Sequence, residues 1–392
     1  MARIVIIGGG IGGLALGASL HKRGITCSIY ERAGELRDVG AAIGLWPNAS
    51  RVLKHLGVLE TLIAGAHTPP AGVLRSTRGR ILLRMATLET DVPAVFAHRA
   101  EAHRAILSAV PANAIFLNKA CTTIVRDGPR VRAEFADGTK SEWGEGLVGA
   151  DGIHSRVRAL TLNDGPPTYR GYVAWRGVAT NFQWKEEMVG QTDGRGQRFG
   201  FIPLGRRGIG WWAAVNKSQA EADQACARSQ AEWKKEVLGR YQGWHAPIPQ
   251  LLEATPESAY LCNAIMDRPV VAAFSPWGEG AVTLLGDAAH PMTPNLGQGA
   301  CMAIEDAAVL AHALASMPEV GCAFRAYERT RFARTSHVTQ QSLEMGRVGQ
   351  WQNPIACALR SVLYRLAPER RMRKQFRELW CYDAWEAPLE SP

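Results

Sequence analysis

The sequence predicts an α/β fold in which a Rossmann-like dinucleotide-binding domain is interleaved with a β-sheet substrate domain and followed by C-terminal helices. Three observations predict it. A β-branched run enters a glycine-rich turn near the N-terminus, a second buried-strand pattern ends in Gly286-Asp287, and the middle of the chain shows the aromatic-rich alternation of strands. The 392 residues, 46% of them hydrophobic, suffice for two interlocked domains with packed cores.

The first motif lies at the N-terminus and is typical of dinucleotide binding. The run Ile4–Ile7 predicts a buried parallel strand, which leads into a G-x-G-x-x-G turn and then into a helix of small and apolar residues. In this pattern Gly8 makes the tight turn, Gly10 lets the backbone approach a pyrophosphate, and Gly13 lets the helix pack on the strand. Glu31 ends the next predicted strand, where it can accept hydrogen bonds from ribose hydroxyls.

The second motif lies far downstream, where Ala281–Leu285 predicts another buried strand. This strand ends in Gly286-Asp287, and a carboxylate at a strand end can hydrogen-bond a polyol chain such as the ribityl of a flavin. The turn Gly297–Gly299 then opens a helix whose first N–H groups can stabilise negative charge on a flavin ring. Glu305 and Asp306 are expected in the first turns of this helix, where acids favour helix starts.

The middle of the chain predicts a sheet that carries the substrate. Strand patterns occur at Tyr172–Val178, Arg198–Ile202 and Gly210–Val215, and a turn with two glycines joins the last two. Such a sheet can stack a planar substrate, or its aromatic residues can form the packed interior of a sandwich. The aromatic candidates for a substrate pocket are Trp175, Phe199, Phe201 and Trp212, and the arginine candidates for pairing with a substrate carboxylate are Arg176, Arg195, Arg198 and Arg206.

A third motif, Asp151-Gly152, lies between the other two within Gly146–Arg158. The order and spacing of G-x-G-x-x-G, this Asp-Gly pair and Gly286-Asp287 resemble the group A (single-component) FAD-dependent aromatic hydroxylases, relatives of p-hydroxybenzoate hydroxylase. The sequence looks nearest to the subgroup that includes salicylate hydroxylase, 6-hydroxynicotinate 3-monooxygenase, flavin-dependent urate hydroxylase and zeaxanthin epoxidase. The resemblance spans about residues 2–340.

The resemblance implies an FAD monooxygenase with NADH or NADPH as a transient co-substrate. In this family the nicotinamide reduces FAD, O₂ forms a C4a-hydroperoxyflavin, and one oxygen atom passes to a small aromatic or heteroaromatic substrate. The residues implied for FAD are Gly8, Gly10, Gly12, Gly13, Glu31, Arg32, Gly40, Ala42, Ile43, Arg99, Asp151, Arg156, Asp287, Gly297, Gln298 and Gly299. Pro291 is implied at the ring edge where oxygen reacts. His290 and Arg198 are further catalytic candidates, and a structural role is the commoner one for a histidine in this loop.

The motifs divide the chain into three parts. Residues 1–72, 97–170 and 275–340 are expected to form a discontinuous FAD-binding domain, and residues 73–96 and 171–274 the substrate-binding domain. Residues 341–392 are expected to form a C-terminal helical region, because they contain several short helical patterns that prolines separate from one another.

Composition narrows the partners and the location. The net charge is +9, but most basic residues are interspersed with acids, so no nucleic-acid partner is expected. The exception is Arg360–Arg377, which holds seven basic residues and a single acid, Glu369. This stretch fits the solvated face of a terminal helix or a peripheral contact with an anionic surface, without stable membrane insertion. Eight scattered cysteines without metal-ligand spacing predict no metal site and a reducing cytoplasm, and the chain is expected as a monomer or homodimer.

Three other functions stay open at this point. An epoxidase or a tailoring monooxygenase of a larger lipid or polyketide would carry the same motifs. A non-catalytic binding protein on the same fold would show a degraded cofactor site, whereas the four polar residues expected at FAD are all present. A flavin halogenase would carry a WxWxIP motif, and Trp211-Trp212 does not supply one.

Overall fold

The computed structural model describes residues 3–36, 41–68, 72–85, 88–180, 182–184 and 189–392. The strands are β1 (Arg3–Ile7), β2 (Thr26–Tyr30), β3 (Ala42–Leu45), β4 (Gly72–Ser76), β5 (Ile81–Met85), β6 (Val95–His98), β7 (Ile115–Phe116), β8 (Cys121–Asp127), β9 (Arg130–Phe135), β10 (Gly146–Gly149), β11 (Thr168–Ala179), β12 (Val189–Asp193), β13 (Gln197–Pro203), β14 (Ile209–Asn216), β15 (Leu261–Asp267) and β16 (Val282–Leu284). The helices are α1 (Ile11–Lys22), α2 (Pro47–Leu56), α3 (Leu59–Ile63), α4 (Arg99–Leu107), α5 (Arg156–Thr161), α6 (Gln219–Cys226), α7 (Gln230–Tyr241), α8 (Ile248–Ala254), α9 (Gly299–Ser316), α10 (Val320–Gly349), α11 (Pro354–Arg365) and α12 (Glu369–Trp380).

A five-stranded sheet in the order β16-β10-β1-β2-β7 forms the centre of the nucleotide-binding part. All four strand pairs are parallel. The β-branched run of β1 is buried because helices cover such a sheet on both faces. Helices α1 and α9 pack against each other beside this sheet, and the small residues of α1 allow the close approach. The Rossmann-like α/β fold predicted from the sequence is therefore confirmed.

A second, seven-stranded sheet has the order β15-β11-β14-β13-β12-β4-β5. Its pairs are antiparallel except for β12 and β4, which run parallel. The three strands predicted in the middle of the chain correspond to β11, β13 and β14, each a few residues longer than predicted. Helices α6, α7 and α8 cover one face of this sheet through a shared apolar core.

The other face of the seven-stranded sheet meets the nucleotide-binding part. The short antiparallel pair of β3 and β6 connects the two, since a Cβ added at Gly210 of β14 would stand 2.3 Å from the Cβ of Ala42 in β3. Such an approach requires glycine at this position. The seven-stranded sheet and the nucleotide-binding part are therefore packed directly on each other along this face.

Helix α9 lies in the interior. Among the described residues it is the one helix long and apolar enough to cross a membrane, and 72% of it is buried inside the fold. The sequence predicted a single apolar face, but α9 is buried around most of its circumference, because α1, α2 and α10 all pack on it.

The C-terminal region is helical, as the proline-broken pattern predicted. Pro354 occupies the first turn of α11, where its missing N–H costs nothing, and Pro368 immediately precedes α12. Trp380, at the end of α12, stacks on Trp46 with ring centroids 4.8 Å apart. Helix α12 thus packs against the same domain as α2.

Candidate functional site

The three sequence motifs meet at the carboxyl edge of the parallel sheet. The glycine turn follows β1, Glu31 follows β2, Asp151 follows β10 and Asp287 follows β16. Because β16, β10, β1 and β2 are neighbours and parallel, these strand ends lie side by side. The carboxyl edge of an open α/β sheet is where such folds bind their ligands.

The glycine turn combines two close contacts with one open position. Gly8 has a φ of +113°, and a Cβ at Gly13 would stand 2.0 Å from the carbonyl oxygen of Gly8, so helix and strand need glycine to pack here. A Cβ at Gly12 would stand 2.7 Å from the side chain of Leu285. At Gly10, which precedes α1, an added Cβ would meet nothing within 4 Å. The backbone is therefore open to an anionic group at the N-terminus of α1.

Two side chains fix this turn from outside. The Glu31 carboxylate accepts hydrogen bonds from the backbone N–H of Gly9 at 2.7 Å and from that of Ala33 at 2.9 Å. The buried ring of His103, in α4, contacts the carbonyl oxygen of Gly9 through Nε2 at 2.8 Å. Glu31 thus lies directly beside the glycine turn, and Arg32 next to it is exposed. His103 was missed from the sequence, where it is one of several polar residues on a helix.

Asp287 lies where its own loop meets the start of α9 and the start of α4. Its Oδ1 atom is 3.8 Å from the position of a Cβ on Gly299, the first residue of α9. Its side chain is solvent-accessible, yet the surrounding protein is dense enough that desolvation raises the pKa of this carboxyl, while the charges of His290 and Arg99 oppose the rise. Arg99 opens α4, and its N–H donates to the carbonyl of Ala41 at 3.1 Å. The structure therefore brings together Asp287, Arg99 and the start of α9.

Asp151 caps a helix. Its carboxylate accepts hydrogen bonds from the hydroxyl of Ser155 at 2.5 Å and from the backbone N–H groups of Arg156 and Val157 at 2.7 and 3.1 Å. Burial raises the pKa of Asp151, and these hydrogen bonds oppose the rise. The guanidinium of Arg156 does not reach Asp151 and donates instead to the carbonyl of Thr122 at 3.0 Å. The expected bracing of Asp151 by Arg156 therefore comes from the backbone of Arg156 and not from its side chain.

The arginine two residues later links two of the motifs. Arg158 donates to the carbonyl oxygens of Ala288 and Ala289 at 2.9 and 2.6 Å, and it forms an ion pair with Asp164. It thereby connects the helix after the Asp-Gly motif to the loop that carries Asp287. The sequence offered Arg156 and Arg158 on the same helix, and spacing alone could not tell which of them reaches the loop.

The two acids of α9 form a buried ion network and are not helix-start acids. No acid lies in the first turn of α9, and the side chains of Glu305 and Asp306 are fully buried. Arg331, from α10, reaches Glu305 at 2.6 Å and Asp306 at 2.7 Å, and His290 Nε2 lies 2.6 Å from Asp306. Burial opposes ionisation of Asp306, but the charges of His290 and Arg331 outweigh it and lower the pKa. Spacing could not reveal this network, because its partners lie on a separate helix.

Two of the catalytic candidates, His290 and Pro291, lie at this network. His290 is bound to Asp306 through Nε2, and its Nδ1 is buried with no hydrogen-bond partner among the described residues. Pro291 is buried, and its carbonyl accepts from the N–H of Arg268 at 3.4 Å. The geometry favours a structural role for His290.

The loop before α9 leaves polar groups without partners. Gln298 is buried and accepts a hydrogen bond from Asn48 at 3.0 Å, but its own Nε2 has no partner in the described part of the chain. The indole N–H of Trp46 is likewise buried and unpaired, 3.1 Å from the position of a Cβ on Gly297. Ala42, at the start of β3, and Ile43 are half-buried, and Gly40 lies outside the described residues. Buried donors without partners are costly unless something binds them.

One face of the seven-stranded sheet presents a flat aromatic side chain towards the nucleotide-binding part. Trp212 and Gly200 are register partners in β14 and β13, and a Cβ at Gly200 would stand 2.3 Å from the indole of Trp212. The indole therefore lies across the glycine, flat against the sheet. The guanidinium of Arg198 lies 5.5 Å from the same ring and donates to Asn295 Oδ1 at 2.6 Å. Arg198 thus joins the seven-stranded sheet to the loop that precedes Gly297.

A second arginine shares this face. Arg176 of β11 is the register partner of Trp212 and donates to Asn263 Oδ1 at 2.6 Å. Its Nε is buried and has no partner among the described residues. Desolvation lowers the pKa of Arg176, and the nearby positive charge of Arg99 lowers it further. Of the four arginines considered from sequence, Arg195 and Arg206 are exposed, so the structure separates two candidates from two.

Three of the four aromatic candidates lie on the opposite face. Trp175, Phe199 and Phe201 are fully buried in the core that α6, α7 and α8 form with the sheet. Side chains alternate between the two faces of a strand, so the odd-numbered residues of these strands lie on the face opposite to that of the even-numbered ones. The correction is that these three rings form the packed interior, and only Trp212 remains as an aromatic candidate for the substrate. Tyr172, whose hydroxyl receives a hydrogen bond from Asn295 at 3.1 Å, joins Trp212 on its face and was missed.

With this geometry in place, the relation to known proteins is direct. The family model described as "FAD binding domain" matches residues 1–342. The chain belongs to this FAD-binding family. It is an FAD-dependent monooxygenase, as the sequence motifs predicted. The relatives that it matches over nearly their whole length are named monooxygenases.

Two relatives in this FAD-binding family illustrate the similarity. The chain is 38% identical over 375 residues to the aurachin C monooxygenase/isomerase of Stigmatella aurantiaca, covering 94% of this chain and 95% of that protein. It is 31% identical over 369 residues to the 6-hydroxynicotinate 3-monooxygenase of Bordetella bronchiseptica, covering 91% of this chain and 94% of that protein. Among solved structures, Klebsiella pneumoniae HpxO complexed with FAD and uric acid matches with a TM-score of 0.85 at 25% identity over 97% of both chains. A salicylate hydroxylase substrate complex shares the fold, with a TM-score of 0.77 at 22% identity, over 98% of this chain and 96% of that chain.

The residues at the carboxyl edge fit FAD, the cofactor of the family. The open position at Gly10 suits a pyrophosphate at the N-terminus of α1, and the unpaired donors of Gln298 and Trp46 suit the polar edge of a flavin ring. Asp287 follows β16, which β10 separates from β1 in the same sheet, and its carboxylate lies beside Gly299, the first residue of α9. No group of His, Cys, Asp or Glu side chains that could hold a metal ion occurs in the described ranges.

Proposed function

We propose that the protein hydroxylates a planar aromatic or heteroaromatic compound that carries a negatively charged group. The single observation that carries this proposal is the flat indole of Trp212, held across Gly200 on the sheet face that meets the flavin-binding part, with Arg176 and Arg198 beside it. Bound FAD supplies reduction by NADH or NADPH and activation of O₂. Everything else in the reaction depends on how this chain's residues hold the substrate.

Three side chains on this face have roles in the proposal. Trp212 stacks the planar ring of the substrate, since offset aromatic stacking favours one orientation. Arg176 pairs with the carboxylate or phenolate, because its buried Nε has no partner among the residues that the structure describes and its neighbour Arg99 adds positive potential. Arg198 holds Asn295 and so positions the loop before α9 relative to the substrate.

The names of the relatives support a ring of this kind. Uric acid is bound in HpxO, and other relatives are named for 6-hydroxynicotinate, for 3-amino-4-hydroxybenzoate and for a heptyl-substituted 4-quinolone. All of these compounds are hydroxy or oxo derivatives of flat rings, which a stacked indole and a guanidinium recognise together. We therefore take Asp287, Glu31, Gly297 and Gly299 as FAD contacts and Trp212 with Arg176 as the substrate contacts.

The test measures NAD(P)H oxidation by the FAD-loaded protein against matched pairs of ring acids and their amides. We expect one acid to accelerate oxidation with stoichiometric oxygenated product that carries one ¹⁸O atom from O₂. In Arg176→Gln, KM for the acid should rise about 10- to 150-fold, because a hydrogen bond to a charged group contributes about 1.5–3 kcal/mol. KM for an accepted amide should change little. Arg195→Gln, at an exposed arginine between β12 and β13 of the same sheet, is the matched control and should behave like wild type.

Other results would point elsewhere. An equal loss for acid and amide in Arg176→Gln would contradict the charge-pairing role. An epoxide as the product would replace hydroxylation by the epoxidase alternative. A flavin that no nicotinamide reduces, with any ring compound, would contradict the proposed function altogether.

We also propose a cytoplasmic monomer or homodimer that binds no nucleic acid. The eight cysteines support the reducing compartment, since all are free, including Cys226 and Cys262, whose sulfur atoms are 3.5 Å apart. Sedimentation of the purified FAD-loaded protein tests the oligomeric state, and a higher oligomer would contradict it.

A further inference from the structure

Helix α11 has its apolar face on the outside. Five of its large apolar side chains are exposed, between 46% and 79%: Ile355, Leu359, Val362, Leu363 and Leu366, the last just past the helix end. They account for half of the ten exposed large apolar residues among those described. At 100° per residue they fall within an arc of roughly 100° on the helix surface, so they form one stripe and are not scattered.

The opposite face of α11 is polar and buried, which is the reverse of an ordinary surface helix. Arg360 is 2% exposed and donates to the carbonyl oxygens of Gly349 and Gly194, each at 2.7 Å. The hydroxyl of Tyr364 donates to Asp193 at 3.3 Å. These contacts hold α11 on the substrate domain without using the apolar stripe. The five side chains of the stripe belong to none of the hydrophobic clusters that form the core of the described residues.

The N-terminus of α11 is also fixed. The side chain of Asn353 accepts hydrogen bonds from the N–H groups of Ile355 and Ala356 at 2.9 and 3.2 Å, and Pro354 follows the cap. The helix is thus a defined element whose orientation is set by caps and buried polar contacts. An element built in this way presents its apolar stripe in one fixed direction.

A strongly basic segment adjoins the stripe. Residues 361–380 contain six basic side chains and two acidic ones, and the exposed members on α12 are Arg370, Arg371, Arg373, Lys374 and Arg377. Arg370 follows Leu366 by four positions, so the chain places the two within about 14 Å. Apolar side chains beside a cationic cluster are the composition that binds the interface of an anionic bilayer.

We propose that α11 and α12 dock the protein on the surface of an anionic lipid bilayer, with the stripe of α11 entering the headgroup region and the basic side chains of α12 meeting lipid phosphates. A second copy of the chain is the less favourable occupant, because a two-fold symmetric contact on this surface would bring two like-charged clusters together. A bilayer surface satisfies both the apolar and the cationic parts at once.

The test is flotation of the FAD-loaded protein with vesicles of phosphatidylglycerol or of phosphatidylcholine, at low salt and in 0.5 M NaCl. We expect wild type to float with the anionic vesicles only, and less in high salt. Arg370→Ala/Arg371→Ala should weaken partitioning about thirtyfold, at about 1 kcal/mol per basic residue. Leu359→Ser/Leu363→Ser should weaken it at least about tenfold through lost apolar burial. Val271→Ser, at another exposed apolar position, is the matched control and should float like wild type.

Flavin content and NAD(P)H oxidation of each variant verify that the fold is intact, since the substituted side chains of α11 and α12 are exposed and lie outside the proposed site. Three results would overturn the proposal: no flotation of wild type, flotation that the leucine variant does not reduce, or a wild-type dimer that Leu359→Ser/Leu363→Ser converts to monomer without any lipid binding. The last result would assign the stripe to a second copy of the chain.

Discussion

The glycine turn between β1 and α1 offers a matched pair of substitutions with opposite expected effects. At Gly13 an added Cβ would stand 2.0 Å from the carbonyl oxygen of Gly8, and a contact with backbone cannot be relieved by a rotamer change. Overpacking costs about 1–3 kcal/mol, and the better helix propensity of alanine returns up to about 1 kcal/mol. Because the contact is so short, we expect Gly13→Ala to lose about 2 kcal/mol of unfolding free energy.

At Gly10 the same substitution should spare the fold and impair the cofactor site. An added Cβ meets nothing within 4 Å, and φ −75° with ψ −175° is a conformation that alanine adopts without strain. The weaker N-cap costs roughly 0.5–1 kcal/mol, and the less flexible unfolded chain offsets most of that. The new methyl group stands where a pyrophosphate would approach α1. We expect the Kd for FAD to rise at least tenfold, about 1.4 kcal/mol.

Urea unfolding of the two apoproteins, followed by circular dichroism, measures the first quantity, and titration of flavin fluorescence measures the second. The reasoning fails if Gly10→Ala binds FAD as tightly as wild type, because the open position would then not face the pyrophosphate. It also fails if Gly13→Ala is as stable as wild type, because the close contact would then be relieved by a backbone shift.

Three further predictions concern other parts of the molecule. Asp287→Asn should weaken FAD retention during gel filtration without lowering the melting temperature of the apoprotein, and unchanged flavin content would refute the ribityl assignment. Arg331→Met should cost about 3–5 kcal/mol in urea unfolding, because it leaves two buried carboxylates short of a partner. Because the pKa of Asp306 is lowered in the folded protein, its ion pair stabilises the fold fully above the unfolded pKa of an aspartate, and this stabilisation is lost as the pH falls through the folded pKa. The difference in unfolding free energy between Arg331→Met and wild type should therefore narrow in acid. A difference that stays constant with pH would contradict this reasoning. Gly200→Ala should displace the indole of Trp212 and reduce kcat/KM for the ring substrate about ten- to hundredfold with normal FAD content, and unchanged kinetics would show that the indole does not support the substrate.

The sequence predicted the positions of the cofactor motifs in the fold well because their signals are local. A strand, a glycine turn and an acid follow one another along the chain, so the order of residues alone was enough to place Gly8, Gly13 and Glu31. Parallel strands then had to bring the later motif beside the first, and the order β16-β10-β1-β2 does so. The domain boundaries and the individual FAD contacts remain predictions from these motifs.

The proposed substrate side of the site was predicted less well, because the direction in which each face of the sheet points depends on how the sheet packs against other elements. Strand alternation separated Phe199 from Arg198 correctly, but it could not say which face meets the flavin-binding part. Helices α6, α7 and α8 decide this by covering the side with Trp175 and Phe199. Aromatic residues alone therefore indicated the wrong face, and the arginines with Trp212 mark the other one. The partners of Arg198, such as Asn295, come from distant segments that no local pattern joins.

The buried network under α9 has a consequence for the flavin site. A helix N-terminus favours negative charge through its unpaired N–H groups, and acids in the first turn would neutralise that effect. In α9 the first turn carries no acid, and Glu305 and Asp306 lie beyond it, with Arg331 and His290 balancing their charge. The positive end of α9 therefore stays available where the chain meets Asp287. Arg331→Met would remove one of the positive charges that balance these acids, leaving Arg334 on Glu305 and His290 on Asp306, so it should weaken binding of reduced FAD more than that of oxidised FAD. Equal losses of affinity for the two oxidation states would show that the network does not influence the charge of the flavin and has a purely structural role.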